Sequence, residues 1–283
     1  MKIGRPGRLT ALALAIVFSA VLVTGCGSGS TDLSVSSSAD SAEAESSTSG
    51  ETSTSDARSE SAQQQLDQDV ADGYLILVNK DEENHLAPTY EPSDLQQVEY
   101  VATDRSPAGW SMRKTAAEQF NLMSEAAAAE GIDVVVTTAY RSYEFQTQLF
   151  NSYVAQKGEA EANKTSARPG ESEHQTGLAA DLSTSEIDYA NSSAFGDTQA
   201  GKWIAENCWK YGFIIRFPEG MDSITGYSYE PWHVRYVGKT AAKEIYDQNI
   251  TLEEYVEEND LGNSIPADAR ASEESEDESF SAE

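Results

Sequence analysis

The chain has little that would staple it together and little that would give it a basic face. It holds two cysteines, Cys26 and Cys208, in 283 residues. That leaves no disulfide framework, so the fold rests on an apolar core, and a span of about 190 residues is ample to bury one. Lysine and arginine number 19 against 48 aspartates and glutamates, a formal net charge of -29. Such a surface repels nucleic acid, whose binding needs a cationic face, and it disfavours electrostatic adhesion to anionic lipid. Histidine is scarcer still, with His85, His174 and His233 alone. Residues 27 to about 69 and the last seventeen or so have almost no large apolar side chain, and such composition does not offset the entropy of ordering.

What is present divides the chain into four parts. Residues 1–25 open with Lys2, Arg5 and Arg8 and continue into an apolar run from position 9 to 23, the pattern of an export signal. Val23-Thr24-Gly25-Cys26 resembles a bacterial lipobox, which makes Cys26 the expected lipidated N-terminus of the mature chain and places it on the outer face of a bacterial cytoplasmic membrane. Residues 26–70 read as a disordered acidic stalk that gives reach. Residues 71–262 form the globular domain, and 263–283 a second disordered acidic tail. The protein is expected to act as a monomer.

Within the domain, Tyr74-Leu75-Ile76-Leu77-Val78 reads as a short strand and His85 falls in an irregular surface segment. Ser111 precedes a helical pattern that places Met112, Ala116, Phe120, Met123 and Ala127 on one face and closes at Gly131. Residues 132–139 are β-branched and read as a buried strand, 143–156 as a helix and 157–170 as a polar loop. A further helix spans about 197 to 210 with Trp203, Ile204, Cys208 and Tyr211 inward, and Cys208 reads as core packing. Strands are expected over 213–217 and 233–237. Thr251 and Glu254 are spaced as a capping box. Helices and strands mix without βαβ regularity, so the fold class is α+β with a small, mostly antiparallel sheet and flanking helices.

The chemistry concentrates in Ser172-Glu173-His174-Gln175-Thr176-Gly177-Leu178-Ala179-Ala180-Asp181 and in Glu230-Pro231-Trp232-His233. Two imidazoles and a carboxylate leave one position of a tetrahedral zinc open, the arrangement of a catalytic site, so His174, Asp181 and His233 are the candidate ligands of one zinc ion. His174 and Asp181 are seven residues apart and would face opposite ways on one unbroken strand; Gly177 supplies the bend that brings them together. Glu230 is the candidate general acid/base, expected just before the strand that carries His233.

The runs Tyr140-Arg141-Ser142-Tyr143-Glu144-Phe145-Gln146, Ala167-Arg168-Pro169-Gly170-Glu171-Ser172-Glu173-His174 onward to Asp181, and Glu230-Pro231-Trp232-His233-Val234-Arg235-Tyr236 resemble the VanY-type D-alanyl-D-alanine carboxypeptidases. That resemblance covers about residues 73 to 249. It implies the zinc fold shared by D-Ala-D-Ala peptidases and Hedgehog-type domains, zinc on His174, Asp181 and His233, and Glu230 as base and then acid. It further implies Arg141 at the scissile carbonyl or terminal carboxylate, Gln146 and Ser172 at the C-terminal end of the peptide, and Trp232 as a wall of the pocket. The implied substrates are peptidoglycan stem peptides that lose a terminal D-alanine, with D,D specificity favoured. L,D-carboxypeptidase and D-Ala-D-Ala dipeptidase activity remain alternatives within the chemistry, and a non-catalytic zinc-containing binding module remains one outside it.

Overall fold

The computed structural model describes residues 58–103 and 109–271. The expected export signal, Cys26 and the expected stalk up to residue 57 lie outside them. In chain order the elements are α1 (Glu60–Ala71), β1 (Leu95–Gln97), β2 (Ser111–Arg113), α2 (Lys114–Ala129), β3 (Val135–Thr138), α3 (Tyr143–Lys157), α4 (Glu159–Thr165), β4 (Ala179–Ser183), α5 (Gln199–Asn207), β5 (Phe213–Phe217), α6 (Asp222–Thr225), β6 (Glu230–Tyr236), α7 (Lys239–Gln248) and α8 (Leu252–Glu258). Among the described residues no helix is long and apolar enough to cross a membrane.

The expected α+β architecture is what forms. β3, β4, β6 and β5 make a four-stranded sheet in that order, every pairing antiparallel, and β1 and β2 make a separate antiparallel ribbon. Alternation along the strands divides the sheet into two unlike faces. Val136, Ala180, Leu182, Phe213, Val234 and Tyr236 face a core completed by Ala116, Phe120, Met123 and Ala127 of α2 and by Trp203, Ile204 and Cys208. Asp181, His233, Arg235, Ile214 and Arg216 occupy the alternate positions. Ile214 there meets a second core of Leu66, Leu75, Leu77, Ala241, Ala242, Ile245 and residues of α8. The polar site occupies the rest of this second face. Cys208 is buried, and burial pushes its thiol up to about 12, as suits a packing role.

Several boundaries differ from those the sequence suggests. Residues 60–70, expected to belong to a stalk, are helical instead: α1 begins at Glu60, capped by Ser59, and buries Leu66 to 2% exposure. An apolar residue with a core to meet overrides the polar composition around it. Residues 263–270, expected to belong to an acidic tail, likewise pack on the domain: Ile265 and Ala269 are buried and Arg270 bridges to Leu86. Residues 74–78 are buried but form no strand. Two of their carbonyls, those of Tyr74 and Ile76, accept hydrogen bonds from the Arg235 guanidinium in place of a neighbouring strand. Residues 157–170 are not all loop, since they hold α4. His85 is half-buried rather than on the surface, with its Nε2 3.8 Å from Glu171 Oε1. The capping box of Thr251 and Glu254 forms at the start of α8.

Candidate metal centre

His174 sits in a 3-10 turn, Glu173–Thr176, that Gly177 terminates with a φ of 69°. A side chain there would be strained by that left-handed backbone, and its Cβ would lie 2.9 Å from Leu95 Cδ2 and 3.3 Å from Arg113 N. The glycine thus allows the chain to turn from His174 straight into β4, where Asp181 pairs across the sheet with His233 on β6. β3 and β5 both shift register beside the site, at Val136/Thr138 and Ile215/Phe217. Bulges of this kind re-aim side chains at a site. Glu230 is the first residue of β6 rather than the residue before it, and Pro231 follows it inside the strand.

These elements bring the three expected ligands together: one donor atom from each of His174, Asp181 and His233 lies within 4.8 Å of the other two. Asp181 Oδ1 is 3.5 Å from His174 Nε2 and 3.1 Å from His233 Nδ1. The two imidazole rings stand edge to face at 90° with centroids 4.9 Å apart. His174 Nδ1 is occupied by the Ala139 carbonyl oxygen at 2.6 Å, which leaves Nε2 buried without a hydrogen-bond partner and turned to the centre. Backbone fixation of one ring nitrogen is how a ligating histidine is held in one tautomer. Asp181 is braced by Asn191 Nδ2 at 3.5 Å, and its backbone carbonyl accepts from Thr137. The donor set of two imidazoles and one carboxylate, buried and with an orphaned imidazole nitrogen, fits a zinc ion.

Electrostatics follow from this packing. Burial and the nearby Arg141 cation push His174 down to about 4. Burial alone would lower His233 as well, but the Asp181 and Glu173 carboxylates on either side of the ring outweigh it and raise this imidazole to about 9. Asp181 is held well below the usual carboxylate range by the two imidazoles, against the opposing effect of burial. Glu230 is the exception among the acids. Burial pushes it up to about 7, Asp181 adds to the shift, and His233, Arg141 and Lys80 oppose it. A carboxyl poised near neutrality is matched to taking and returning a proton. Its Oε2 lies 3.9 Å from His233 Nδ1.

The centre opens into a cleft of about 240 Å³ whose lining includes Arg141, Leu149, Tyr153, Tyr227, Glu230 and Trp232. Arg141 follows β3 and lines the cleft, with its Nε buried and unpartnered and within the electrostatic reach of the Asp181 and Glu230 carboxylates. Ser172 lines the cleft, as expected. Gln146 is not among the lining residues; it is buried, its Nε2 donates to the Ala167 carbonyl at 2.7 Å and its Oε1 has no partner. Sequence reasoning passed over Asn191, Tyr153 and Tyr227, which carry no linear motif. It also passed over Glu173, whose one signal was its place beside His174. Phe217 stacks on Tyr227 and tilts against His233, closing the apolar end of the cleft.

A mixed helix and sheet fold with a His, Asp, His centre and a carboxyl beside it defines a metallopeptidase of the small antiparallel-sheet type. Residues 109–239 match the family model for VanY D-alanyl-D-alanine carboxypeptidase. YodJ of Bacillus subtilis is 48% identical over 185 residues, spanning 65% of this chain and 67% of that one. The chain therefore belongs to the VanY family. Among solved structures, the LdcB LD-carboxypeptidase aligns with a TM-score of 0.61 at 47% identity, covering 64% of this chain and 84% of that one. The vancomycin-resistance D,D-pentapeptidase VanY of a VanB-type cassette, in complex with Zn(II), aligns with a TM-score of 0.54 at 33% identity, covering 65% of this chain and 98% of that one.

Proposed function

We propose that this protein is a zinc carboxypeptidase that removes the C-terminal D-alanine from peptidoglycan stem peptides. The observation that carries the reading is the convergence of the three donor atoms beside a buried Glu230, with Arg141 at the same cleft. His174 Nε2, Asp181 and His233 would hold the zinc ion, which when bound would supply a Lewis acid and lower the pKa of a water molecule to near neutrality. Glu230 would take the proton of the attacking water as the water oxygen bonds to the carbonyl carbon, and would pass that proton to the D-alanine nitrogen as the C–N bond breaks. Its environment suits both halves of the exchange, because a carboxyl near 7 neither holds nor releases a proton too strongly. Arg141 is a permanent cation with an unpartnered buried Nε, suited to the carbonyl oxygen as it gains charge or to the terminal carboxylate. Trp232 and Tyr227 wall the cleft, and Ser172 offers a hydroxyl at its floor. Gln146 would act on the peptide indirectly, by holding the Ala167 backbone.

The matched family favours D,D specificity. L,D specificity is the second reading, and the 47% identity to LdcB favours it. The lipobox at Cys26 supports attachment to the outer face of the cytoplasmic membrane, where the substrate lies. The test offers stem pentapeptide and tetrapeptide side by side to the zinc-loaded protein and reads the products by mass. One alanine lost from pentapeptide alone establishes the D,D reading, whereas loss from tetrapeptide establishes the L,D one. Release of an intact dipeptide makes the protein a dipeptidase. Zinc bound with no product from any substrate overturns the enzymatic reading in favour of a binding module.

A further inference from the structure

Behind the centre lies a buried ionic network that the proposed reaction does not use. Glu173 Oε1 accepts from Arg216 Nε and from an Arg235 terminal nitrogen, both at 2.7 Å. Arg216 makes a paired contact with Glu253 at 2.8 and 2.6 Å, and Arg235 donates to the carbonyls of Tyr74, Ile76 and Tyr236. Both arginines are fully buried at 0% exposure. Two cations therefore meet two carboxylates, and the set is neutral. One atom is left over. Glu173 Oε2 is buried without a hydrogen-bond partner, and 3.5 Å away stands His233 Nε2, equally buried and equally unpartnered. On the far side of the same ring, Nδ1 faces Asp181.

We propose that Glu173 is a positioning residue for the metal centre: anchored by Arg216 and Arg235, it receives the Nε2–H of His233 and keeps Nδ1 turned toward the metal. This inference rests on the reading of the site as a metal centre. The geometry supports it in two ways. A buried donor and a buried acceptor that face each other are far costlier apart than together. A carboxylate behind a ligating imidazole fixes the ring and raises its basicity. Glu173 also adjoins His174 in the chain, so one residue braces one ligand through space and the other through the backbone. His233 and Arg235 share a face of β6, which places the ligand and the anchor of its brace two residues apart.

The experiment measures zinc affinity of the full chain by competition with a chelator, alongside kcat and KM. In E173Q the amide keeps the shape and removes the charge, and zinc should bind 10- to 100-fold more weakly, with kcat falling more than KM rises. Because E173Q leaves two buried cations facing one carboxylate, E173Q/R216M is made in parallel; it removes the cation whose hydrogen-bond partners are Glu173 and Glu253 and restores neutrality. Weakened zinc binding in every variant that folds supports the proposal, and affinity within twofold of the parent in any one of them overturns it. Should neither fold, the zinc-loaded parent chain decides by long-range 15N–1H correlation. A proton on His233 Nε2 with the metal on Nδ1 supports the role, and the reverse assignment overturns it. A parent chain that binds no zinc at all would overturn the metal-centre reading itself, which separates that failure from this one.

Discussion

Replacing Glu230 with glutamine should lower activity and raise stability at once, because the same burial causes both. Glutamine keeps the volume at the head of β6 and cannot exchange a proton. Turnover should fall by about 10³- to 10⁴-fold, which corresponds to about 4–5.5 kcal/mol of transition-state free energy. Zinc should remain bound, since the candidate donor set is His174, Asp181 and His233. The stability effect is read in the metal-free protein. Glu230 rises from 4.5 to about 7 on folding, chiefly through burial, with 21% of its side chain exposed. A carboxyl with a raised folded pKa costs nothing below its unfolded value. Its cost grows as pH rises through that interval and is complete above the folded value. At 1.36 kcal/mol per pH unit this amounts to about 3 kcal/mol at pH 8. The attraction of the His233 imidazolium is already contained in that net shift, and solvent screening of the partly exposed carboxyl leaves about 1–3 kcal/mol in favour of the variant. For a domain of this size that is a rise in Tm of several degrees. Differential scanning calorimetry of both proteins at pH 8 and pH 4.5 checks it, since the difference should vanish at the lower pH. A variant that keeps more than a tenth of parent turnover refutes Glu230 as the proton carrier. A variant whose Tm at pH 8 is unchanged or lower refutes the account of its burial.

Metal uptake should release close to one proton at pH 7.5, because His233 is raised to about 9 in the metal-free site and ligates only as the neutral imidazole. Apparent affinity should therefore rise with pH, and calorimetric titrations in buffers of different ionisation enthalpy would show it; a heat independent of buffer contradicts the assignment. Leu66→Ala in α1 should destabilise the protein by about 2–5 kcal/mol, as deletion of a buried leucine side chain does. An unchanged urea midpoint would return residues 60–70 to the stalk.

The centre was legible because its chemistry is written locally. His174, Gly177 and Asp181 fall within eight residues, and a glycine between two ligands of opposite strand parity states its own geometric purpose. Glu230 and His233 were legible for the same reason. What escaped depends on contacts distant in sequence. Residues 74–78 have the composition of a strand, yet Arg235, some 160 positions away, takes two of their carbonyls. Arg216 and Arg235 read as ordinary strand arginines until the fold closes over them at 0% exposure. Gln146 shows a different limit: its motif suggests the peptide, while in the fold its Nε2 donates to the Ala167 carbonyl and its Oε1 is without a partner. Leu66 and Val70 are two large apolar residues in an otherwise polar helix, too little for composition to register and enough to anchor α1.

The same arginines bear on how so acidic a chain meets an anionic substrate. A net charge of -29 repels a peptide carboxylate at a distance. That repulsion is screened beyond about 8 Å at physiological ionic strength, whereas buried groups feel one another almost unscreened. Recognition is then decided inside the cleft, where the chain has placed its permanent cations unevenly. Arg216 and Arg235 are consumed by Glu173, Glu253 and backbone carbonyls, so they contribute rigidity and no net attraction. Arg141 alone of the three has a buried guanidinium nitrogen with no partner. A site that neutralises its structural cations and leaves its cleft-lining cation incompletely satisfied concentrates its pull on the one position where the substrate's own carboxylate or carbonyl oxygen must arrive.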